Sequence, residues 1–185
     1  GLTFVVVSDD AKEKMKNRKT PIASFYANLM AFDGYYEKKW FPYTMPISDI
    51  YGLRAAFNLI AGDKTLYERH ARIGSATRAA VKEAGLKLHL QSGYSNTVTV
   101  FDIPECTDAK SILDEMRTKY NIMLAGSFDE LSGKVIRIGH MGENARLEHM
   151  VPALEALSAT LTDLGVTLQG NLADLFLKHY REFQD

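Results

Sequence analysis

At Gly85 the hydrophobic period of the chain changes, and no other feature restricts the fold as much. Before it, apolar residues recur at helical spacing. Ile50, Leu53, Phe57 and Ile60 form one stripe, with Ser48 the expected cap of their helix. Gly62-Asp63 interrupts, and a second helix over about 64–84 carries Leu66, His70, Ile73, Thr77 and Val81. After Gly85 the pattern alternates. Leu86, Leu88 and Leu90 share one face, and 97–103 reads as a strand ended by Pro104. Residues 108–120 form an amphipathic helix with Ala109, Ile112, Leu113, Met116 and Tyr120 inward. A short strand at 122–125, a loop at 126–133 and a strand at 134–139 follow. The helix at 147–164 lines up Leu147, Met150, Val151, Leu154, Leu157, Leu161 and Leu164, and a last one covers about 172–183. Strand, helix, strand, strand, helix predicts an open α/β sandwich with helices on one face of the sheet.

The first forty-odd residues read differently. From Gly1 to Ser8 the chain has strand chemistry, and three consecutive valines predict a strand covered on both faces. Such a strand needs neighbours, so this opening points to a truncated chain; an edge strand that simply begins the protein is the alternative. Ser8-Asp9-Asp10 is a helix start, a hydroxyl cap followed by acids in the first turn. Residues 19–46 have no clean period, yet they hold Phe25, Tyr26, Phe32, Tyr35, Tyr36, Trp40, Phe41 and Tyr43. An irregular stretch this aromatic must lie on something. It covers either this chain's own core or a subunit or domain interface.

Composition excludes several classes of function. Lysine plus arginine (22) balances aspartate plus glutamate (23), so no bulk field favours nucleic acid or an anionic membrane. No apolar run approaches the roughly 20 residues that cross a bilayer. The single Cys106 permits no internal disulfide and suits a reducing compartment. No signal-peptide pattern opens the chain, and cytoplasm is the expected location.

The segment Lys134 to Gly142 carries the most chemistry. On a strand, Ile136 and Ile138 point toward the helices, while Val135, Arg137 and Gly139 point the other way. Arg137 is thus either an arginine on a solvated sheet face or a clamp that takes a carboxylate through two parallel hydrogen bonds. His70, His89, His140, His149 and His179 are scattered, so no metal site is expected, and His140 reads as structural. Cys106 reads as an idle thiol. The residues alone offer one candidate carboxylate clamp, one aromatic apron and no complete active site.

Two stretches carry a resemblance: Pro42-Tyr-Thr-Met-Pro46-Ile-Ser-Asp-Ile-Tyr-Gly-Leu-Arg54, and Gly133-Lys-Val-Ile-Arg-Ile-Gly-His-Met-Gly142 with Glu143-Asn-Ala-Arg146 after it. Their sequence and spacing resemble class V (fold-type I) pyridoxal-phosphate (PLP) aminotransferases, chiefly the alanine–glyoxylate and serine–glyoxylate group. The likeness covers nearly the whole chain. It implies the C-terminal small domain of such an enzyme, an open, mostly antiparallel sheet with helices on one face, preceded by a strand and interface segment of the large domain. It implies a homodimer with active sites at the subunit interface, PLP as cofactor, and a small amino acid and a 2-oxo acid as substrates. It assigns Arg137 to the substrate's α-carboxylate and Thr44 to the phosphate of the partner subunit's PLP. A tyrosine often helps three residues before that threonine. Phe41 stands there in this chain, and Tyr43 is a weaker substitute. Where the family has a glycine-rich loop after the short strand, this chain reads Gly126-Ser-Phe-Asp129.

The resemblance places the Schiff-base lysine upstream of Gly1, so no catalytic residue is expected in these 185 residues and the chain alone is expected to be inactive. The expected division is 1–45 as the tail of the PLP-binding domain with its interface segment, 46–84 as interdomain helices, and 85–185 as the small domain. The expected parent reaction moves the amino group of alanine, serine or similar to an acceptor such as glyoxylate. Rival readings are a non-enzymatic amino-acid-binding or regulatory module, and another class V enzyme, a phosphonate aminotransferase or cysteine desulfurase.

Overall fold

The structure is a computed structural model, which describes residues 2–183. Contacts divide it into two units, residues 2–63 and 64–183.

In the first unit, helix α1 (Asp9–Lys16) is capped by Ser8, whose hydroxyl accepts from the Ala11 amide at 3.2 Å. Acids open that helix and lysines close it, as its dipole favours. Lys12 reaches Asp33 at 2.6 Å, holding α1 to a short 3-10 turn over Leu29–Phe32. Helix α2 (Ile47–Gly62) starts two residues earlier than expected: Pro46 occupies the cap position without a side-chain bond, and Ser48 lies inside the helix. Its Ile50, Phe57 and Ile60 stripe is present, but all three side chains are exposed. The expected opening strand is not formed by residues 2–7, and Gly1 lies outside the described residues. Strand backbone needs a partner ladder, and among the described residues no segment pairs with this one. Val6 is 98% exposed.

The second unit closes on a core of its own. Helix α3 (Leu66–Glu83) buries Ile73, Gly74, Ala76, Thr77, Ala80 and Val81. Gly85 then turns the chain at φ +87°, a backbone conformation that suits glycine, and the amide of Leu86 returns to the Val81 carbonyl at 3.1 Å. The sheet is built on β1 (Val98–Asp102) and β2 (Val135–Gly139), paired antiparallel with Phe101 opposite Ile136 and Thr99 opposite Ile138. The alternating segment around Leu88 and the run at 122–125, expected as a short strand, make single antiparallel bridges: Leu88 to Phe101 on one side, Ala125 to Arg137 on the other. Each flanking segment is short and stands at the sheet's rim, where nothing beyond it among the described residues completes a second ladder.

Helices α4 (Ala109–Tyr120), α5 (Leu147–Asp163) and α6 (Leu172–Glu182) complete the unit. Asp108 caps α4, accepting from the Ser111 amide at 2.9 Å. Ile112 and Met116 of α4 are buried, and Ala109, Leu113 and Tyr120 pack against the core, the face set by the helical period. Phe101, Ile136 and Ile138 meet Ile73, Leu154, Leu157, Leu161 and Phe176 in one cluster, so the helices cover one face of the sheet. Val98, Val100, Val135 and Arg137 stand on the other.

Candidate functional site

Arg137 lies at the centre of β2, opposite Val100, and is half-buried while its neighbours Ile136 and Ile138 are fully buried. Its backbone amide donates to the Ala125 carbonyl at 2.7 Å. Its side-chain Nε donates to the Gly126 carbonyl at 2.6 Å. The guanidinium carbon sits 5.8 Å from the centroid of the Phe128 ring. Among the described residues the two terminal nitrogens have no hydrogen-bond partner. One edge of the guanidinium is thus fixed, and the edge that bears the two terminal nitrogens is open and has the geometry of a bidentate donor. Arg137 borders a concavity of about 530 Å³ that also takes in Ala125, Gly139, Asn144, Glu148 and His149. A Cβ added at Gly139 would meet nothing within 4 Å, so the strand end approaches this space as bare backbone.

The loop after β2 is held from α3. His70 donates through Nδ1 to the Leu66 carbonyl at 2.6 Å and accepts the Gly142 amide on Nε2 at 3.0 Å. Gly142 has φ +59°, and Arg146 closes on Glu143 at 2.8 Å, holding that carboxyl below its ordinary range. His140 is fully buried. Its Nδ1 faces the Asn96 carbonyl at 3.2 Å and its Nε2 the Thr99 hydroxyl at 2.9 Å, satisfying both nitrogens of a neutral ring. Burial, helped by the nearby charge of Arg78, lowers its pKa to about 4. Gly74 of α3 makes room for it, since a Cβ there would lie 3.2 Å from the imidazole. His140 therefore anchors β2 to β1 from below the site.

Tyr43 and Thr44 lie in the first unit. Thr44 is exposed, outside any helix or strand, and its hydroxyl has no hydrogen-bond partner among the described residues. Tyr43 is the hub of an aromatic cluster: its ring stacks on Tyr26 at 5.2 Å and meets Phe25, Phe32 and Phe41 edge-on. Its hydroxyl donates to the Phe25 carbonyl at 2.9 Å. Sequence reading identified Arg137 but not Phe128, His70 or Gly74. The one usable signal was Gly74, a glycine inside a helical pattern. Among the described residues no three histidine, cysteine or acidic side chains are placed to hold a metal, and no helix is long and apolar enough to cross a membrane.

No family model matches the chain. A serine–glyoxylate aminotransferase of Methylorubrum extorquens is 36% identical over 178 residues, covering 90% of this chain and 43% of that protein. One of Arabidopsis thaliana is 34% identical over 189 residues, covering 97% and 46%. The crystal structure of pyridoxamine–pyruvate aminotransferase from Mesorhizobium loti superposes with a TM-score of 0.83 at 31% identity, covering 95% of this chain and 46% of that one. The fold is thus the α/β fold of class V aminotransferases over the part matched. Within that class the chain's homologues are serine–glyoxylate, alanine–glyoxylate and pyridoxamine–pyruvate aminotransferases, and the match fits a C-terminal portion of such a protein. The chain spans less than half the length of these relatives.

Proposed function

We propose that the protein carrying this chain is a PLP-dependent aminotransferase that moves the amino group of a small amino acid of the alanine or serine type to a 2-oxo acid such as glyoxylate. The observation that carries this reading is the guanidinium of Arg137, fixed through Nε with its two terminal nitrogens unpartnered beside the concavity. It holds the substrate's α-carboxylate, orienting the amino group toward the cofactor. PLP, when bound, supplies the electron sink that makes proton removal from the substrate carbon feasible. The residues present fit part of that group's needs. Thr44 offers an exposed, unpartnered hydroxyl to the phosphate of a PLP held by a partner subunit. Tyr43 is a weaker phosphate contact, because its proton is already donated to Phe25. The cofactor-holding lysine is not assigned to any of these residues.

The reading takes the protein to be a cytoplasmic homodimer, with residues 25–44 at the subunit contact. Residues 1–45 belong to its large domain, 46–84 to the interdomain helices and 85–185 to the small domain. The exposed side chains of Phe25, Tyr26, Tyr36 and Trp40 support that contact.

Steady-state kinetics of Arg137 variants test the function. A charge-assisted bidentate pair contributes about 1.5–3 kcal/mol net, so Arg137→Lys should lower kcat/KM by roughly one to two decades. Arg137→Ala should lower it further, with thermal midpoints little changed. Near-wild-type kcat/KM in the folded variants, or activity lost only together with a collapsed thermal midpoint, would remove the reading.

A further inference from the structure

The loop between the short segment at 122–125 and β2 does more than connect them. It departs from glycine-rich composition at Phe128, an apolar ring that is 70% exposed and belongs to no core. The Phe128 backbone is extended (φ −130°, ψ 176°), and Asp129 follows with φ +52°, in the left-handed region that few residues other than glycine adopt. The Leu131 amide returns to the Phe128 carbonyl at 3.2 Å, and the Ser132 amide to the Asp129 carbonyl at 3.0 Å. The turn thus fixes the direction in which residue 128 projects. That direction brings the ring centroid to 5.8 Å from the Arg137 guanidinium carbon, within cation–π range. The same loop supplies the Gly126 carbonyl that accepts Nε.

We propose that Phe128 is a positioning residue for Arg137, holding the guanidinium so that its free edge meets a monocarboxylate ligand. This rests on the reading of Arg137 as the substrate-carboxylate grip. An arginine side chain gives up rotamer entropy when it is held in one orientation. The carbonyl on Nε and the ring together remove part of that freedom before a ligand arrives. The ring also shields one side of the guanidinium from water, which strengthens its pairing with an anion. Phe128 touches neither the reacting atoms nor the cofactor in this scheme, so its contribution falls on substrate affinity.

The test uses the PLP-loaded protein that carries this chain, with F128A, F128L and F128W. The readouts are KM and kcat for alanine with glyoxylate, and the inhibition constant of propionate, a carboxylate without an amino group to transfer. An exposed cation–π contact corresponds to about a two- to fivefold change in affinity. F128A and F128L should raise both KM and the propionate constant by about that factor, with the change carried by KM. F128W, with the better ring for a cation, should restore or exceed wild-type affinity. In an R137A background F128A should change the propionate constant no further. A propionate constant that F128A leaves unaltered, or that F128L keeps at the wild-type value, overturns the proposal, as does an F128A effect that persists without Arg137. If R137A alone leaves propionate binding intact, the carboxylate grip is wrong and the positioning role falls with it. If R137A weakens propionate binding but F128A does not, only the role of Phe128 fails.

Discussion

His140 should make the second unit lose stability in mild acid, before its carboxylates are protonated. The ring is fully buried with both nitrogens satisfied in the neutral form, and its pKa is lowered to about 4. In the unfolded chain an ordinary histidine titrates near 6.5. Between those values the unfolded chain binds more protons than the folded one, so stability rises with pH through this window and falls as pH drops from about 6.5 toward 4. Each pKa unit is worth about 1.4 kcal/mol. Summed from neutral pH down to pH 5, the loss is roughly 2 kcal/mol, and it approaches about 3 kcal/mol below pH 4. Urea unfolding at pH 7, 6, 5.5 and 5, for the wild type and for His140→Gln, isolates the effect. Taking the difference cancels the other histidines, among them His89 against Asp102 and His179 against Glu83. The wild-type curve should drop by roughly 2 kcal/mol relative to the variant between pH 7 and 5. Parallel curves, or a native His140 resonance that titrates near 6.5, would refute the burial argument.

Other expected outcomes follow from the same geometry. The 185-residue chain mixed with PLP should give no stoichiometric borohydride-trapped adduct on any one lysine and no alanine–glyoxylate turnover; finding both would overturn the assignment of the cofactor-holding lysine to other sequence. In the protein that carries this chain, Thr44→Val should weaken PLP retention by about tenfold or more, the scale of a charge-assisted hydrogen bond. Tyr43→Phe should leave retention within about twofold, since that hydroxyl already donates to Phe25. Equilibrium dialysis separates the two, and equal losses would contradict the split. Sedimentation should show concentration-dependent self-association of the protein that Trp40→Ser reduces; a monomer at every concentration would remove the homodimer and the cross-subunit role of Thr44.

How much of this was legible in the sequence depended on whether a side chain's environment follows from its own neighbours. The helices of the second unit were readable because each buries one face, and one-sided burial writes a period into the chain. Arg137 was readable for the same reason: alternation along β2 turns it away from Ile136 and Ile138. The alternating leucines at 86, 88 and 90 and the run at 122–125, the latter expected as a short strand, form no strands of their own. They carry strand composition, yet each makes one bridge, and bridging depends on what lies beside a segment. The helix at 47–62 shows the converse. Its stripe looks like any core-facing stripe, but no residue of it is buried in this chain. Phe128 left no signature, because its position depends on a left-handed aspartate that composition does not announce.

The contrast between the two units sets what the first one requires. Among the described residues, all 22 buried hydrophobic side chains lie at or beyond Ile73, in the second unit. Of 24 exposed large hydrophobic ones, 18 lie between Leu2 and Ile60. The second unit therefore closes on itself, with caps, turns and core in agreement. The first unit has local order, a capped α1 and a network of aromatic rings around Tyr43, but no buried core. Ring–ring contacts among these exposed and half-buried side chains add about 1 kcal/mol each, less than fully burying those rings would. Apolar surface on this scale in a folded protein marks a contact. The aromatic apron and the opening valines are thus best understood as surface shaped to be covered, either by more of the same polypeptide or by a second copy. Mutation distinguishes these. Cover from the same polypeptide makes Val6→Asp and Trp40→Ser lower the thermal midpoint equally at every protein concentration, whereas cover by a second copy makes the loss shrink as concentration rises, since association stabilises by mass action.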